Sequence, residues 1–440
     1  MSNINQLQNQ KAKIGLISLG CPKALVDSER ILTSLTHNGY MINKDHKNAD
    51  LVIVNTCGFI DSAKEESINT ITSAINENGK VIITGCLGKD KTTIKDFNKK
   101  VLAITGPSEI NKVLRTVQKV LPQHKKPLRN FLSPIGIKLT PKHYSYLKIS
   151  EGCNHRCKFC IIPKLRGRLK SRKIQDIINE AKTLIDNGTQ ELLVISQDTS
   201  AFGLDFIKSK NKERSDIIQL CNSLGDLGIW IRLHYLYPYP HVTKIIPLMA
   251  EDKILPYLDI PFQHSHPEVL RRMQRPARKN NASNLIKEWR DIKPDLTIRS
   301  TFIVGYPGET EDEFQYLLDW LEEVQIDRVG CFKYENVNGA RANDLKGHLS
   351  EEIKEERWNR FMIKAQEISE NKLSKKIGTT QEVIVDELDE EGAVCRTKGD
   401  APQIDGNLFI DKDFKNLTQG QIVRVKVDEA SEYDLWGKLI

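Results

Sequence analysis

The feature that most constrains the fold is a repeated alternation of short apolar runs with amphipathic segments. Four apolar runs lie in the first quarter of the chain: Lys13–Leu19, Asp50–Asn55, Lys80–Thr84 and Leu102–Thr105. After the first run, apolar residues recur at helical spacing from Ile31, and Asp27 or Ser28 is expected to cap that helix. Strands that alternate with helices are typical of a parallel α/β sheet. We therefore predict an open parallel α/β domain over residues 12–120, preceded by a disordered tail at residues 1–11.

The same alternation resumes after a linker. Residues 121–143 contain four prolines and no apolar period, which predicts a linker. Residues 144–375 then carry six apolar runs with helical patterns between them: Tyr146–Ser150, Glu191–Ser196, Trp230–Tyr235, Tyr257–Pro261, Leu296–Val304 and Arg328–Lys333. Six βα units favour a closed or partly closed barrel, although spacing alone is also compatible with an open doubly wound sheet.

The last part of the chain has a different pattern. A charged helix is predicted at about Glu351–Lys375, and residues 376–440 hold short alternating runs broken by glycine and aspartate. Such runs indicate a small all-β barrel. The fold class that we predict is thus α/β with three folded domains, of which the last is all-β.

Composition indicates a reduced, globular protein. Of the 440 residues 39% are hydrophobic, which excludes wholesale disorder, and no apolar run is long enough for a membrane span. The N-terminal residues lack the apolar segment of a secretory signal, so we expect a cytoplasmic protein whose nine cysteines stay reduced. Clustered cysteines in such a chain are candidates for metal binding or catalysis.

The strongest motif is Cys153-Asn-His-Arg-Cys157-Lys-Phe-Cys160, directly after the first strand of the barrel-like region. Thiolates are soft ligands that suit iron–sulfur clusters and zinc. Three thiolates leave one iron of a four-iron cluster without a protein ligand, and the loop lies where α/β barrels place their active sites. A zinc site and three unrelated structural cysteines are the alternatives.

The run EGCNHRCKFCIIPKLRGRLKSR resembles the radical S-adenosylmethionine (SAM) enzymes. The resemblance implies that Cys153, Cys157 and Cys160 hold a 4Fe–4S cluster whose open iron chelates SAM, with Phe159 near the adenine. It also implies reductive cleavage of SAM to methionine and a 5′-deoxyadenosyl radical.

A second set of cysteines is dispersed along the chain. Cys21, Cys57 and Cys86 each directly follow an apolar run of the first domain. Because parallel strands place their carboxyl ends side by side, the three thiols are expected at one crevice, although cysteine is also an ordinary small apolar residue at strand ends. Their glycine neighbours, which allow close backbone approach, are Gly20, Gly58 and Gly85.

The segments SLGCPKALVDSE, VNTCGFIDSAKEES and TGC resemble the N-terminal domain of the methylthiotransferases. The resemblance covers about residues 12–440 and implies a second 4Fe–4S cluster at Cys21, Cys57 and Cys86, a radical SAM partial (β/α)6 barrel and a C-terminal TRAM-like barrel. One branch of that family modifies adenosine in transfer RNA, and another modifies an aspartate of small-subunit ribosomal protein S-twelve. The segments GCPKALVDSE, HYLYPYP and DAPQIDGNLFI resemble the ribosomal-protein branch, with the tRNA branch as the alternative.

Charge gives an independent argument about the partner. Residues 377–440 carry fourteen acidic and seven basic residues, so the net charge of +7 divides into −7 in this segment and +14 in the rest. An acidic barrel repels RNA phosphates and suits a basic protein such as a ribosomal protein, or else is merely a solvated surface. The predicted partners are therefore ribosomal protein S-twelve, or the ribosomal subunit that carries it, and an electron donor, with no membrane and with tRNA disfavoured.

The resemblance implies that one SAM methylates a sulfur held on the cluster of Cys21, Cys57 and Cys86, and that another is cleaved at the Cys153 loop. The resulting radical then takes hydrogen from the aspartate β-carbon. No protein side chain is predicted to be catalytic. Weaker candidates for cofactor binding are Gln197, Gln263 and Gly305, and Asp198 and His264 are also expected at the barrel mouth; solvated loop or turn roles are the alternatives. His155 and His264 could ligate a metal, but polar loop roles are favoured because neither has ligand spacing. The substrate mouth could be lined by Tyr235, Tyr237 and Tyr239, with a rigid aromatic turn as the alternative. Cys221, Cys331 and Cys395 are predicted to be structural.

Overall fold

A computed structural model describes residues 11–123, 136–206, 216–275 and 282–440. The predicted tail (except residue 11) and most of the predicted linker lie outside the described residues. By the density of its internal contacts the chain divides into two compact units, which are described separately. The first comprises the chain to Thr140 together with Glu151–Asn154 and Ile161–Arg168; the second comprises Pro141–Ser150, His155–Cys160 and Leu169–Ile440.

The first unit is built on a five-stranded parallel sheet with the strand order β2-β1-β3-β4-β5. Its strands are β1 (Lys13–Ser18), β2 (Met41–Ile42), β3 (Leu51–Thr56), β4 (Val81–Gly85) and β5 (Ala103–Ile104). Its helices are α1 (Pro22–His37), α2 (Asp61–Asn78), α3 (Ile110–Val120) and α4 (Ile162–Arg166). Every residue of β3 and β4 is buried, as expected for central strands of a parallel sheet. The predicted open α/β domain is confirmed.

The start of α1 differs from the prediction. The helix begins at Pro22, and its N-cap is Cys21 rather than Asp27 or Ser28. Both of those residues are buried inside the helix, where Ser28 bonds Asn55 and Ser18 through its hydroxyl. A polar residue near a helix start suggests a cap, but here tertiary partners explain the polar side chains, and proline at the first helical position sets the start.

The second unit contains a six-stranded parallel sheet in the order β13-β12-β11-β10-β9-β6. Its strands are β6 (Tyr144–Lys148), β9 (Glu191–Ile195), β10 (Trp230–Leu233), β11 (Tyr257–Asp259), β12 (Thr297–Val304) and β13 (Arg328–Lys333), and a separate two-stranded sheet pairs β7 (Ser150–Glu151) with β8 (Lys170–Ser171). The six strands follow one another in chain order, whereas a doubly wound sheet reverses direction. The strand order therefore favours a partial (β/α)6 barrel over the open doubly wound sheet, with which the spacing was also compatible.

Helices cover this sheet: α5 (Ile174–Asp186), α6 (Ile217–Gly225), α7 (Ile246–Ala250), α8 (Pro267–Arg272), α9 (Ala282–Ile292), α10 (Glu311–Val324) and α11 (Glu351–Ser374). The start of α10 is fixed by a capping box between Thr310 and Glu313. The predicted charged helix corresponds to α11. No helix in the described part of the chain is long and apolar enough to cross a membrane.

The C-terminal segment is a closed five-stranded barrel in the order β14-β15-β16-β18-β17, which confirms the predicted small β-barrel. Its strands are β14 (Thr380–Leu388), β15 (Ala393–Thr397), β16 (Leu408–Ile410), β17 (Ile422–Ala430) and β18 (Leu435–Leu439). Alternate residues of these strands fill one apolar core, for example Val383, Cys395 and Val425. Closure leaves the barrel without an unpaired strand edge.

Within the second unit, charged side chains of this barrel pair with the amino-terminal ends of the sheet strands. Asp400 accepts a hydrogen bond from Arg328 at 2.9 Å, and Asp405 accepts bonds from Tyr257 at 2.6 Å and Arg299 at 3.2 Å. The barrel thus covers the end of the sheet opposite to the strand ends at which a (β/α) barrel carries its functional loops.

Candidate iron–sulfur sites

The three dispersed cysteines of the first unit follow three neighbouring strands. Cys21 lies three residues after β1, Cys57 directly after β3, and Cys86 directly after β4. The strand order reverses between β1 and β3, and this is the position where open α/β sheets bind ligands. The structure therefore brings Cys21, Cys57 and Cys86 to the crevice that the sequence predicted.

Glycines allow the strand ends to approach one another at this crevice. Gly85 has a φ of +94°, and a Cβ there would lie 2.4 Å from the carbonyl oxygen of Thr56. A Cβ on Gly58 would lie 2.9 Å from the amide nitrogen of Leu87. Any larger residue at these two positions would push apart the segments that carry Cys57 and Cys86.

The three thiols are close enough to influence one another's charge. Burial raises the pKa of Cys86 to about 11 and also raises that of Cys57, and in both cases the neighbouring Cys21 adds to the rise. For Cys21, burial also raises the pKa, but Lys23, Arg166 and backbone N–H groups at the start of α1 outweigh it, so the net shift is downward. Cys21 is thus the thiol of the set that most readily becomes a thiolate.

A buried arginine that the sequence analysis missed lies at this crevice. Arg166, the last residue of α4, has a side chain that is 2% exposed, and it donates hydrogen bonds from Nη1 to Asp27 at 3.3 Å and to Glu151 at 3.0 Å. Its positive charge also favours the thiolate forms of Cys86, Cys21 and Cys57 and so acts to lower their pKa values. The basic run after the Cys153 loop contained this residue, but nothing in its spacing pointed to the first unit.

The donor set fits an iron–sulfur cluster. Cys21, Cys57 and Cys86 are all outside disulfides, and three thiolates are the soft ligands that a 4Fe–4S cluster takes from a protein. Among the described residues no group of three His, Cys, Asp or Glu side chains is arranged to hold a metal ion.

The Cys153 loop contributes residues to both units. In the first unit, the Cys153 amide donates to the carbonyl oxygen of Gly167 at 3.0 Å. In the second, the Cys160 amide donates to the carbonyl oxygen of Cys157 at 3.2 Å, and the Lys158 amide donates to that of Met273. None of the three cysteines forms a disulfide, and Cys157 is buried. Backbone hydrogen bonds therefore fix the loop on both sides of the motif.

An aromatic and charged cluster of the second unit surrounds His155 of this loop. The His155 Nε2 lies 2.7 Å from Asp198 Oδ2 and 2.9 Å from the Tyr239 hydroxyl, and its ring stacks on Tyr237 with centroids 3.8 Å apart. Asp198, just after β9, is buried and also accepts a hydrogen bond from Ser200. His155 and Asp198 are thus positioned partners rather than solvated loop residues, and Tyr237 and Tyr239 form the wall beside them.

A half-buried cation approaches the aromatic and charged cluster around His155 from another side. The Arg275 guanidinium lies 4.3 Å from the centroid of the Tyr237 ring, and its Nη1 is 3.9 Å from the Cys157 sulfur. Arg275 also donates to the carbonyl oxygen of Pro261, just after β11. A fixed positive charge therefore lies beside one thiol of the Cys153 loop.

The weaker candidates have distinct environments. Phe159 packs, half-buried, against the apolar cluster of Met273 and Tyr306. Gln197 directly follows Ser196 at the end of β9, next to Asp198. Gln263 has a φ of +74° and bridges to β12, and this strained backbone is typical of functional sites.

Gly305 belongs to a turn built around a buried glutamate that the sequence analysis did not single out. The Gly305 amide donates to Glu309 Oε2 at 2.7 Å, and Glu309 also accepts from Arg357 at 2.6 Å and contacts His264 at 3.1 Å. A Cβ on Gly305 would lie 2.5 Å from Lys354 Cγ. Gly305 and His264 are therefore positioned by Glu309, and the turn between β12 and α10 is rigid.

The remaining three cysteines belong to neither set. Cys221 is fully buried on α6 and Cys395 in the core of the C-terminal barrel, while Cys331 lies in β13. Burial raises the pKa of Cys221 and of Cys395 to about 12, as expected for inert core thiols.

Comparison with known proteins identifies three family regions along the chain. Residues 147–321 match the Radical SAM superfamily, residues 13–106 match the Uncharacterized protein family UPF0004, and residues 377–440 match the TRAM domain. The solved structure of the radical SAM methyltransferase TsrM from Kitasatospora setae, with cobalamin and a 4Fe–4S cluster bound, superposes with a TM-score of 0.53 at 13% identity, covering 74% of this chain and 75% of that chain. At that identity the likeness shows the fold alone.

Curated relatives match nearly the whole chain. The protein named ribosomal protein uS12 methylthiotransferase RimO from Roseobacter denitrificans is 61% identical over 427 residues, covering 97% of this chain and 93% of the relative. The protein of the same name from Ruegeria pomeroyi is 60% identical over 433 residues, with the same coverage of both chains. The resemblance to the ribosomal-protein branch is thereby confirmed. The chain belongs to the RimO family of radical SAM methylthiotransferases.

Proposed function

We propose that this chain is a radical SAM methylthiotransferase that modifies the β-carbon of an aspartate in ribosomal protein uS12, using iron–sulfur chemistry and SAM. The observation that carries the proposal is identity of about 60% to relatives named for that activity, over 97% of the chain. The cysteine motif of the Radical SAM region and the crevice thiols of the first unit supply the ligands that such chemistry needs.

We infer two clusters, one at Cys153, Cys157 and Cys160 and one at Cys21, Cys57 and Cys86. When bound, such clusters and SAM supply radical chemistry at a carbon–hydrogen bond that protein acids and bases do not activate. Three thiolates at each site leave one iron free of protein ligands, which suits a cluster that binds a small molecule.

The chain's own residues hold and shield these sites. In the first unit, the tight packing at Gly58 and Gly85 fixes the strand ends that carry Cys57 and Cys86. In the second, the bond between His155 and Asp198 and the stacked Tyr237 restrain the middle of the Cys153 loop. Such second-layer contacts orient metal ligands and limit access of water. Phe159, Gln197, Gln263 and Gly305 remain the proposed cofactor-binding residues beside that loop.

The proposed protein partner is uS12, free or in the small ribosomal subunit, and a one-electron donor must reduce the enzyme. The C-terminal barrel keeps an exposed acidic hairpin, Glu387–Glu391, in addition to the carboxylates that pair within the unit. Negative charge there favours a basic protein over an RNA backbone. Because the proposed substrate belongs to the ribosome, we place the enzyme in the cytoplasm.

The decisive experiment offers both candidate substrates to anaerobically reconstituted enzyme with SAM and dithionite. We expect a methylthio group on uS12 or on the small subunit, located by mass spectrometry on one aspartate, and none on tRNA. The matched control carries Cys157→Ala and should leave uS12 unmodified. Modification of tRNA alone would contradict the proposal and favour the tRNA branch.

A further inference from the structure

Arg166 is fixed in place by two carboxylates inside the first unit. Its Nη1 bonds Asp27 at 3.3 Å and Glu151 at 3.0 Å, and Glu151 also accepts a hydrogen bond from Ser108 at 2.8 Å. The Arg166 and Asp27 side chains are 2% and 6% exposed, so this ion pair lies almost entirely out of water. A buried guanidinium held from two sides has little freedom to move away when a neighbouring charge changes.

The helix that carries Arg166 also lies at the Cys86 strand end. Helix α4 packs against the short turn Leu87–Lys89, which directly follows Cys86. From this position the charge of the guanidinium acts on all three thiols and favours their thiolate forms. Lys23 is a further cation near Cys21, but it lies at the start of α1 on the partly exposed side. Arg166 is therefore the deeply buried positive charge that all three thiols share.

Charge beside an iron–sulfur cluster sets its reduction potential. A cluster that gains one electron becomes more negative by one charge, and a nearby fixed cation stabilises that form. In a buried site this effect is strong because little water screens it.

We propose that Arg166 is a positioning residue for the cluster at Cys21, Cys57 and Cys86, whose buried positive charge raises the reduction potential of that cluster. The inference rests on the proposed cluster site and goes beyond it, because it assigns a role to a residue that is not a ligand. Arg166 follows Cys160 by six residues in the chain. One sequence segment thus carries the radical SAM motif and the counter-charge of the other cysteine set.

The test isolates one cluster in the full chain. Replacing Cys153, Cys157 and Cys160 by alanine leaves only the proposed site in the first unit, and its midpoint potential is measured by an anaerobic dithionite titration followed by electron paramagnetic resonance. In this background we expect Arg166→Gln to lower the midpoint potential of the cluster. At a fixed applied potential, the ratio of reduced to oxidised cluster should fall at least tenfold, which corresponds to a shift of about 59 mV for one electron. Arg166→Lys, which keeps the charge, should retain most of the wild-type value.

A second pair of variants guards against misfolding. Arg166→Gln removes the positive charge that faces Asp27 and Glu151, so the comparison is repeated between Glu151→Gln and Glu151→Gln/Arg166→Gln. We again expect a lower reduction potential in the protein without Arg166. Loss of iron from the protein without Arg166, while Arg166→Lys keeps its iron, also supports the proposal. Equal potentials at full iron content, or iron loss from both Arg166→Lys and Arg166→Gln with unchanged circular dichroism, would overturn it. Absence of iron from the parent triple-alanine chain would instead contradict the cluster site itself.

Discussion

The Glu191 carboxylate lies 2.7 Å from the guanidinium of Arg396, a residue 205 positions later in the chain. Glu191 begins β9 of the parallel sheet, and Arg396 belongs to β15 of the C-terminal barrel. Glu191 also accepts a hydrogen bond from Arg232 at 2.6 Å, and all three side chains are at most 1% exposed. A buried carboxylate between two arginines thus joins the barrel to the sheet within the second unit.

The first prediction concerns the stability that this contact gives. We expect Glu191→Gln to lower the free energy of unfolding by about 3–5 kcal/mol, because the buried Arg232 loses its carboxylate partner and the buried Arg396 keeps only Asp386. All five tryptophans lie in the second unit, so fluorescence during urea unfolding reports on it. The control is Glu382→Gln, which breaks a partly exposed pair with Lys398 and should change stability by less than about 0.5 kcal/mol. Equal effects of the two substitutions would contradict the interpretation.

The second prediction concerns pH. Burial raises the pKa of Glu191, but Arg396 and Arg232 outweigh it and hold the pKa at about 2, below the ordinary value of 4.5. A carboxyl group with a lowered pKa stabilises the fold above its unfolded-state pKa, and that stabilisation is lost as the pH falls toward the folded-state value. The stability difference between wild type and Glu191→Gln should therefore be constant above pH 4.5 and shrink between 4.5 and about 2. A difference that stays constant to the lower pH would disprove the linkage.

The strands show how much of the fold can be predicted from the local sequence pattern. The run Arg328–Lys333 is β13 to the residue, and the other central strands agree within about two residues, because buried parallel strands are continuous apolar runs. Strand β2 was missed because it has only two residues, Met41 and Ile42, and takes its place by pairing with β1. Spacing could not show whether the central sheet curves into a barrel, since that depends on which strands become neighbours.

The candidate site was only partly predictable from the sequence. Cysteines at strand ends were predictable because the carboxyl ends of parallel strands meet at one edge. Arg166 was not, because its partners Asp27 and Glu151 lie 139 and 15 residues away and no local pattern connects them. Part of the negative charge of the barrel is used within its own unit, since Asp386, Asp400 and Asp405 pair there with cationic side chains. Glu382 and Asp428 also pair, at partly exposed positions, with Lys398 and Lys438. The exposed hairpin Glu387–Glu391 is the acidic surface that we expect to meet an external partner.

The third prediction tests the close approach at the first cysteine set. Gly85→Ala places a Cβ 2.4 Å from the Thr56 carbonyl oxygen, whereas Gly39, with a similar φ of +91°, has open space around it. Both substitutions place alanine in the unfavourable left-handed backbone conformation, so the difference between their effects on stability reports the crowding at Gly85. We expect Gly85→Ala to be about 1–3 kcal/mol more destabilising, measured by hydrogen exchange of β3 and β4 amides. Similar exchange in the two variants would show that the strand ends can separate at little cost.

The fourth prediction concerns the support of the Cys153 loop. We expect Asp198→Asn to weaken iron binding or SAM cleavage by about 10–100-fold, because the Asp198 carboxylate holds the His155 ring by a 2.7 Å hydrogen bond. The measurements are the iron retained against a chelator and the 5′-deoxyadenosine formed without protein substrate. Tyr239→Phe removes a hydroxyl but keeps the ring beside His155, so its effect should be smaller. If Tyr239→Phe is the more damaging change, the hydroxyl rather than the carboxylate positions the loop.

The fifth prediction assigns the iron to the two sets of cysteines. The reconstituted wild-type chain should hold about eight iron atoms, since each 4Fe–4S cluster contains four. Alanine at Cys153, Cys157 and Cys160 should remove about four of them, and alanine at Cys21, Cys57 and Cys86 should remove the other four. Cys331→Ser is the matched control, because this free thiol lies in β13 away from both sets, and it should keep the full content. Loss of all iron from either triple variant would contradict two independently bound clusters. A wild-type protein with only about four iron atoms would contain a single cluster and would also contradict the prediction.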